Sequence, residues 1–208
     1  MKHTSVTQLL EHNYWIFDMD GTLTLAQHDF DAIRDSLGLP DDLPILESLD
    51  LLPKAESAIL HARLNEIELE IAAESKAAEG AQSLLDELKA RGAQIGILTR
   101  NNKINIDVTL KAAGLDGYFS DEDLLSRDCI TPKPAPDGIL HLLKQWNVDP
   151  SPKQIHQQAI MVGDHLHDLL SGRAAGTKTL YVDPKGEFVF KQNADVCIQQ
   201  LSALLAAS

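Results

Sequence analysis

The stretch that decides the fold is Tyr14-Trp15-Ile16-Phe17-Asp18-Met19-Asp20-Gly21-Thr22-Leu23-Thr24. Its first four residues, aromatic and branched, read as a buried strand. The run then breaks off into two acids, a glycine and two hydroxyl residues. A strand ending in this way carries reactive groups to the edge of a sheet, so Asp18 and Asp20 are the first candidate site residues. Gly21 lets the backbone turn closely around a ligand.

Outward from this stretch the chain has two rhythms. Residues 7–12 form a short helical lead-in. Beyond Thr24, residues 28–37 place Phe30, Ile33 and Leu37 at helical spacing, and Gly38 with Pro40 supplies the stop. Residues 43–52 are short, apolar and bounded by prolines. Pro53 opens a long helical segment to about Lys76, through Ile59, Leu60, Leu64, Ile67, Leu69 and Ile71. Residues 26–76 therefore read as an all-helical insertion placed after the first strand.

From Gly80 onward helix and strand alternate. Helices are expected over Ala81–Ala90, over 104–113 and through Leu140, Leu143 and Trp146. Strands are expected at Gln94–Leu98, around 118–120, at 159–162, at 179–182 and at Val196–Ile198, with a C-terminal helix last. This alternation implies an α/β fold, a parallel sheet covered on both faces. Ligands of such sheets sit outside the carboxyl ends of the strands. Polar groups fall at those ends here: Asp18 and Asp20, Thr99, Asp164, and Lys133 on the way to a later strand.

Composition narrows the chemistry. The 208 residues carry 31 acidic against 18 basic side chains, a net charge of -13. A field of that sign repels polyanions, which argues against nucleic acid or an anionic membrane as partner, while an acidic pocket favours a divalent cation. Cys129 and Cys197 form no metal or disulfide pattern. The N-terminus shows no apolar leader core and the chain no membrane-spanning run. The expectation is a cytoplasmic protein, monomer or homodimer.

Phosphoryl transfer accounts for the polar set. A phosphate monoester is a dianion, so a carboxylate attacks it only when cations and hydrogen-bond donors offset the repulsion. Asp18 is the candidate nucleophile, and Lys133 and Thr99 the donors to the phosphoryl oxygens. Asp18, Asp164 and Asp168 supply oxygens for Mg²⁺, a hard ion held by few carboxylates together with water and substrate. Asp20 is the candidate acid and base, protonating the leaving alkoxide and then activating water. Arg100, Asn101, His28, Arg63 and His165 are candidate contacts to the rest of the substrate, with Arg34 and His61 also in the insertion.

Together Asp18-Met19-Asp20-Gly21-Thr22, Thr99, Lys133-Pro134 and Gly163-Asp164 with Asp168 resemble, in order and spacing, the four motifs of the haloacid dehalogenase (HAD) superfamily of hydrolases. The resemblance implies a Rossmann-like core over 1–25 and 77–208 and a C1-type helical cap over 26–76, as in phosphoglycolate phosphatases and β-phosphoglucomutases. It implies Asp18 as nucleophile, Asp20 as acid and base with its backbone carbonyl on Mg²⁺, Asp164 as metal ligand and Asp168 as a close or water-mediated supporter. The expected substrate is a small phosphorylated metabolite such as phosphoglycolate or a sugar phosphate. A phosphomutase and a non-catalytic metabolite-binding module are the alternatives. Two departures bear on substrate choice: the insertion is short beside those caps, and His165 stands where the family often has a small hydroxyl residue.

Overall fold

The computed structural model describes residues 6–26 and 29–205. A 3-10 turn at Val6–Glu11 leads into β1, Tyr14–Phe17. Three helices follow, α1 (Phe30–Leu37), α2 (Ile45–Asp50) and α3 (Lys54–Ala73). Then come α4 (Ala81–Ala90), β2 (Gln94–Leu98), α5 (Lys103–Ala112), β3 (Leu124–Leu125) and α6 (Asp137–Gln145). The chain continues through α7 (Pro152–Gln158), β4 (Ala159–Gly163), α8 (Leu166–Ala175), β5 (Lys178–Val182) and β6 (Val196–Ile198).

The six strands form one parallel sheet in the order β3-β2-β1-β4-β5-β6. β1 is central, and strand order reverses on either side of it, which is where such sheets open a crevice at their carboxyl ends. Side chains alternate across β1 as a pleat requires. Trp15 and Phe17 enter one core layer with the leucines of α4 and with Ile106 and Leu110 of α5. Ile16 enters the opposite layer with Ile139, Leu142 and Leu143 of α6 and Met161 of β4. α8 packs close: a Cβ on Gly172 would lie 2.8 Å from both Met161 and Thr179 side chains.

The insertion has its own small core of Ile33, Leu37, Leu39, Ile45, Leu49 and Leu64. It joins the sheet domain where the chain leaves and returns side by side. Leu25 N–H donates to Lys76 O and Ala78 N–H to Leu23 O, both at 2.9 Å. α3 also lies along α5.

Three sequence expectations change. Residues 118–120 are not a strand: a 3-10 turn covers Asp116–Tyr118, and the third strand is Leu124–Leu125, paired with Ile97 and Leu98. Tyr118 instead spends its polar end on the surface, donating to Asp86 at 2.6 Å, while the two leucines are buried. Burial of an apolar pair outweighs the strand propensity of Tyr118 and Phe119. The C-terminal helix is only a 3-10 turn over Leu201–Leu204. α7 has no counterpart in the sequence reading, because only Ile155 of its seven residues is buried and the apolar period is missing. His28 lies outside the described residues. No helix among the described residues is long and apolar enough to cross a membrane.

Candidate active site

Asp18 continues β1 by one residue, its N–H donating to Val162 O of β4 at 2.8 Å. This fixes a buried carboxylate at the centre of the sheet's carboxyl edge. Lys133, also buried, approaches from the segment after β3 and lies 2.5 Å from Asp18 Oδ1 and 2.7 Å from Asp168 Oδ1. That segment is pinned to α8, because Ser171 Oγ donates to Ala135 O at 2.7 Å. Asp168 is part of the capping of α8: its Oδ2 accepts from His165 N at 2.9 Å, and the His165 ring caps in return. Asp164, just past β4, accepts from Thr22 Oγ1 at 3.3 Å.

Two glycines make this approach possible. Gly21 has φ +85°, and a Cβ on it would collide with the Asp164 carboxylate. At Gly163 a Cβ would run into Asp168. Any side chain at either position would push the acids apart.

Thr99 follows β2 and is buried. Its N–H donates to Leu125 O at 3.0 Å, and its Oγ1 accepts from Asn101 N at 3.2 Å, so the hydroxyl proton is not used by the turn. Asn101 Nδ2 donates to Asp20 Oδ2 at 2.6 Å.

The electrostatics are unbalanced. One ammonium faces three carboxylates, whose oxygens lie within 4.8 Å of one another. Burial works against the Lys133 charge, but Asp168 and Asp18 overcome it and hold the ammonium above its usual range. Asp18 is underpaired. Burial pushes its carboxyl well above the ordinary range, Lys133 opposes, and Asp168 and Asp164 push further up. Burial, then Asp168, pushes Asp164 up to about 6. A hard cation suits such a site: it takes oxygen donors, and its charge offsets the surplus.

A family model described as haloacid dehalogenase-like hydrolase matches residues 26–182. The chain belongs to the haloacid dehalogenase-like hydrolase family. It is 30% identical over 197 residues to an uncharacterized hydrolase of Saccharomyces cerevisiae, covering 91% of this chain and 88% of that one. The pyrophosphatase PpaX of Bacillus pumilus is 37% identical over 132 residues, a match spanning 60% of this chain and 57% of that protein. The fold matches the crystal structure of a predicted phosphoglycolate phosphatase from Haemophilus somnus with a TM-score of 0.73 at 18% identity, over 98% of this chain and all of that one.

Around this hydrolase core the outer candidates scatter. Arg100 sits at the rim, donating to Glu47 of α2 at 2.9 Å, with its other terminal nitrogen 3.3 Å from His167 Nδ1. His165 is exposed and its ring stands edge-on to His167 and Phe190. Burial lowers the pKa of both histidines. Arg63 is exposed on α3 and pairs with Glu66 one turn along. Arg34 serves the insertion itself, through Asp31 and Leu43 O, and His61 lies 4.0 Å from Asp50. Thr22, Glu47 and His167 join the site without having been singled out. Thr22 was legible from its place in the first motif; Glu47 and His167 carry no local signal.

Proposed function

We propose that the protein is a Mg²⁺-dependent phosphatase acting on a small phosphorylated metabolite. The observation that carries this reading is Lys133, buried between Asp18 and Asp168 with Asp164 beside them. A bound phosphoryl group needs such a fixed cation next to its attacker.

Asp18 Oδ attacks phosphorus while the bond to the leaving oxygen breaks. Asp20, in its acid form, gives that oxygen its proton. Asp20, now a base, takes a proton from water. The water oxygen attacks phosphorus, the bond to Asp18 breaks, and phosphate leaves with Asp18 restored. Lys133 and the Thr99 hydroxyl bind the phosphoryl oxygens through both steps, and Asp168 holds Lys133 in place. Asp18, Asp164, the Asp20 backbone carbonyl and, directly or through water, Asp168 would hold Mg²⁺. When bound, the ion supplies positive charge that keeps the acids ionised and offsets the charge of the phosphoryl oxygens.

The helical insertion, residues 26–76, acts in this reading as a cap that limits water and selects the leaving group. Arg100, on the rim beside Glu47 of the insertion, is the candidate to recognise a second anionic group on the substrate. Phosphoglycolate, sugar phosphates and, from the likeness to PpaX, pyrophosphate form the first screen.

The purified protein should hydrolyse 4-nitrophenyl phosphate with Mg²⁺ and lose that activity in EDTA. Activity that survives chelation overturns the metal requirement. With a hexose 1-phosphate, release of phosphate is expected; formation of an isomer would identify a phosphomutase instead.

A further inference from the structure

Sequence places Asn101 among residues that touch substrate, but its side chain amide is turned onto Asp20. Nδ2 donates to Asp20 Oδ2 at 2.6 Å, a charge-assisted bond when Asp20 is ionised. The backbone around Asn101 is held on both sides. Its N–H donates to Thr99 Oγ1 at 3.2 Å, and its carbonyl accepts from Arg127 N at 3.0 Å. Arg127 Nη1 also donates to Arg100 O at 3.3 Å. One residue on, Asn102 caps α5, its Oδ1 accepting from Asn105 N at 2.8 Å. Asn101 therefore projects from a fixed turn.

Asp20 sits in a tight turn of its own, where Gly21 N–H donates to Thr24 O and Thr24 N–H to Met19 O, both at 2.9 Å. That turn fixes the Asp20 backbone. Its side chain is half-buried, and the direction of its carboxylate decides which oxygen it can serve. A proton-transfer group must meet the leaving oxygen in one step and water in the next, and error in its direction costs rate.

We propose that Asn101 is a positioning residue for Asp20, holding one carboxylate oxygen so that the other faces the leaving group. The proposal rests on the phosphatase reading above. Asn101 acts through Asp20 and forms no bond to the phosphoryl group.

Leaving-group dependence tests it, because a poor leaving group needs the proton and a good one does not. The measurement is kcat/KM with Mg²⁺ for a series of substituted phenyl phosphates, from 4-nitrophenyl to unsubstituted phenyl. Asp20→Asn should lose far more on phenyl than on 4-nitrophenyl phosphate. Asn101→Ala should lose in the same direction, about tenfold more on phenyl phosphate, a fraction of what general acid catalysis is worth. Asn101→Asp, which replaces the donor with a second carboxylate, should lose at least as much. If the alanine variant does not fold, as judged by its thermal transition, Asn101→Ser replaces it, since its hydroxyl is too short to reach Asp20.

An Asn101 variant that loses equally on all substrates, shows only a raised KM, or loses nothing, beside a selective Asp20→Asn, overturns the proposal and leaves the phosphatase reading standing. If Asp20→Asn is itself unselective, the assignment of Asp20 as acid fails, and the proposal with it.

Discussion

Asp18, Asp168 and Lys133, all buried, with the half-buried Asp164, set three carboxylates against one ammonium, whereas the buried Glu68 of α3 and the half-buried Arg127, after β3, set one charge against one. The second pair is complete. Both terminal nitrogens of Arg127 donate to Glu68, at 3.1 Å each, Asn105 adds a third donor at 3.1 Å, and Arg127 Nη2 also reaches Asn65 at 3.2 Å. A fork-to-fork pair with its remaining sites occupied has little to offer a ligand. It ties the insertion to the sheet domain. The first cluster carries surplus negative charge, and burial pushes Asp18 and Asp164 up. Burial of charge therefore does not distinguish the two clusters; the imbalance of charge does.

That contrast can be broken most severely at Lys133. Lys133→Met leaves the three clustered carboxylates with no counter-charge, and turnover should fall by at least about 10²-fold, the cost of losing a principal electrostatic group at the reacting centre. Steady-state assay with Mg²⁺ reads this directly. Replacing the balanced pair with Glu68→Leu and Arg127→Met together should keep turnover within about tenfold of the parent, since buried pairs exchange for apolar ones at little cost. A collapse of activity in the double variant would mean that the joint takes part in the chemistry.

Breaking only half of the pair should be worse for stability than removing both. Glu68→Ala leaves the half-buried Arg127 without its counter-charge, with only Asn65 and the Arg100 carbonyl as acceptors, and should cost about 3 kcal/mol in urea denaturation, most of it recovered in the double apolar variant.

A smaller effect separates the clusters by their affinity for cations. Mg²⁺ at about a hundred times its dissociation constant should stabilise the folded protein by about 2.7 kcal/mol, seen as a rise in thermal midpoint. Asp164→Asn should lose most of that rise and the Glu68–Arg127 double variant none of it.

The smallest expected effect lies away from both. His12 is buried, with Nδ1 3.0 Å from Leu9 O and Nε2 without a hydrogen-bond partner among the described residues. Burial lowers its pKa. The unfolded chain therefore takes up a proton first as pH falls through about 6.5, and stability is lost below that point. Urea midpoints at pH 7.5 and 5.5 should show this slope in the parent and less of it in His12→Gln. An unchanged slope would assign the loss to other groups.

What sequence made legible was local. β1 and its acids stood out because an apolar run stops at charged residues within a few positions. The helices of the insertion stood out because their apolar residues recur at helical spacing. Strand β3 did not, being two leucines long, and burial against Ile97 and Leu98 made it a strand where propensity favoured the neighbouring aromatics. The bond from Asn101 to Asp20 spans 81 residues, and that from Arg127 to Glu68 spans 59. Such pairs exist only once the sheet has brought its loops together, and nothing in the flanking residues announces them.

The central claim is that Asp18 carries the phosphoryl group between the two half-reactions. Acid quenching of the protein during turnover of 4-nitrophenyl phosphate, followed by peptide mass spectrometry, tests it most directly. A phosphoryl group is expected on Asp18, more abundant in Asp20→Asn, where water is no longer activated, and absent in an inactive Asp18→Asn. Undiminished turnover in Asp18→Asn, or a phosphoryl group found on another residue, would contradict it.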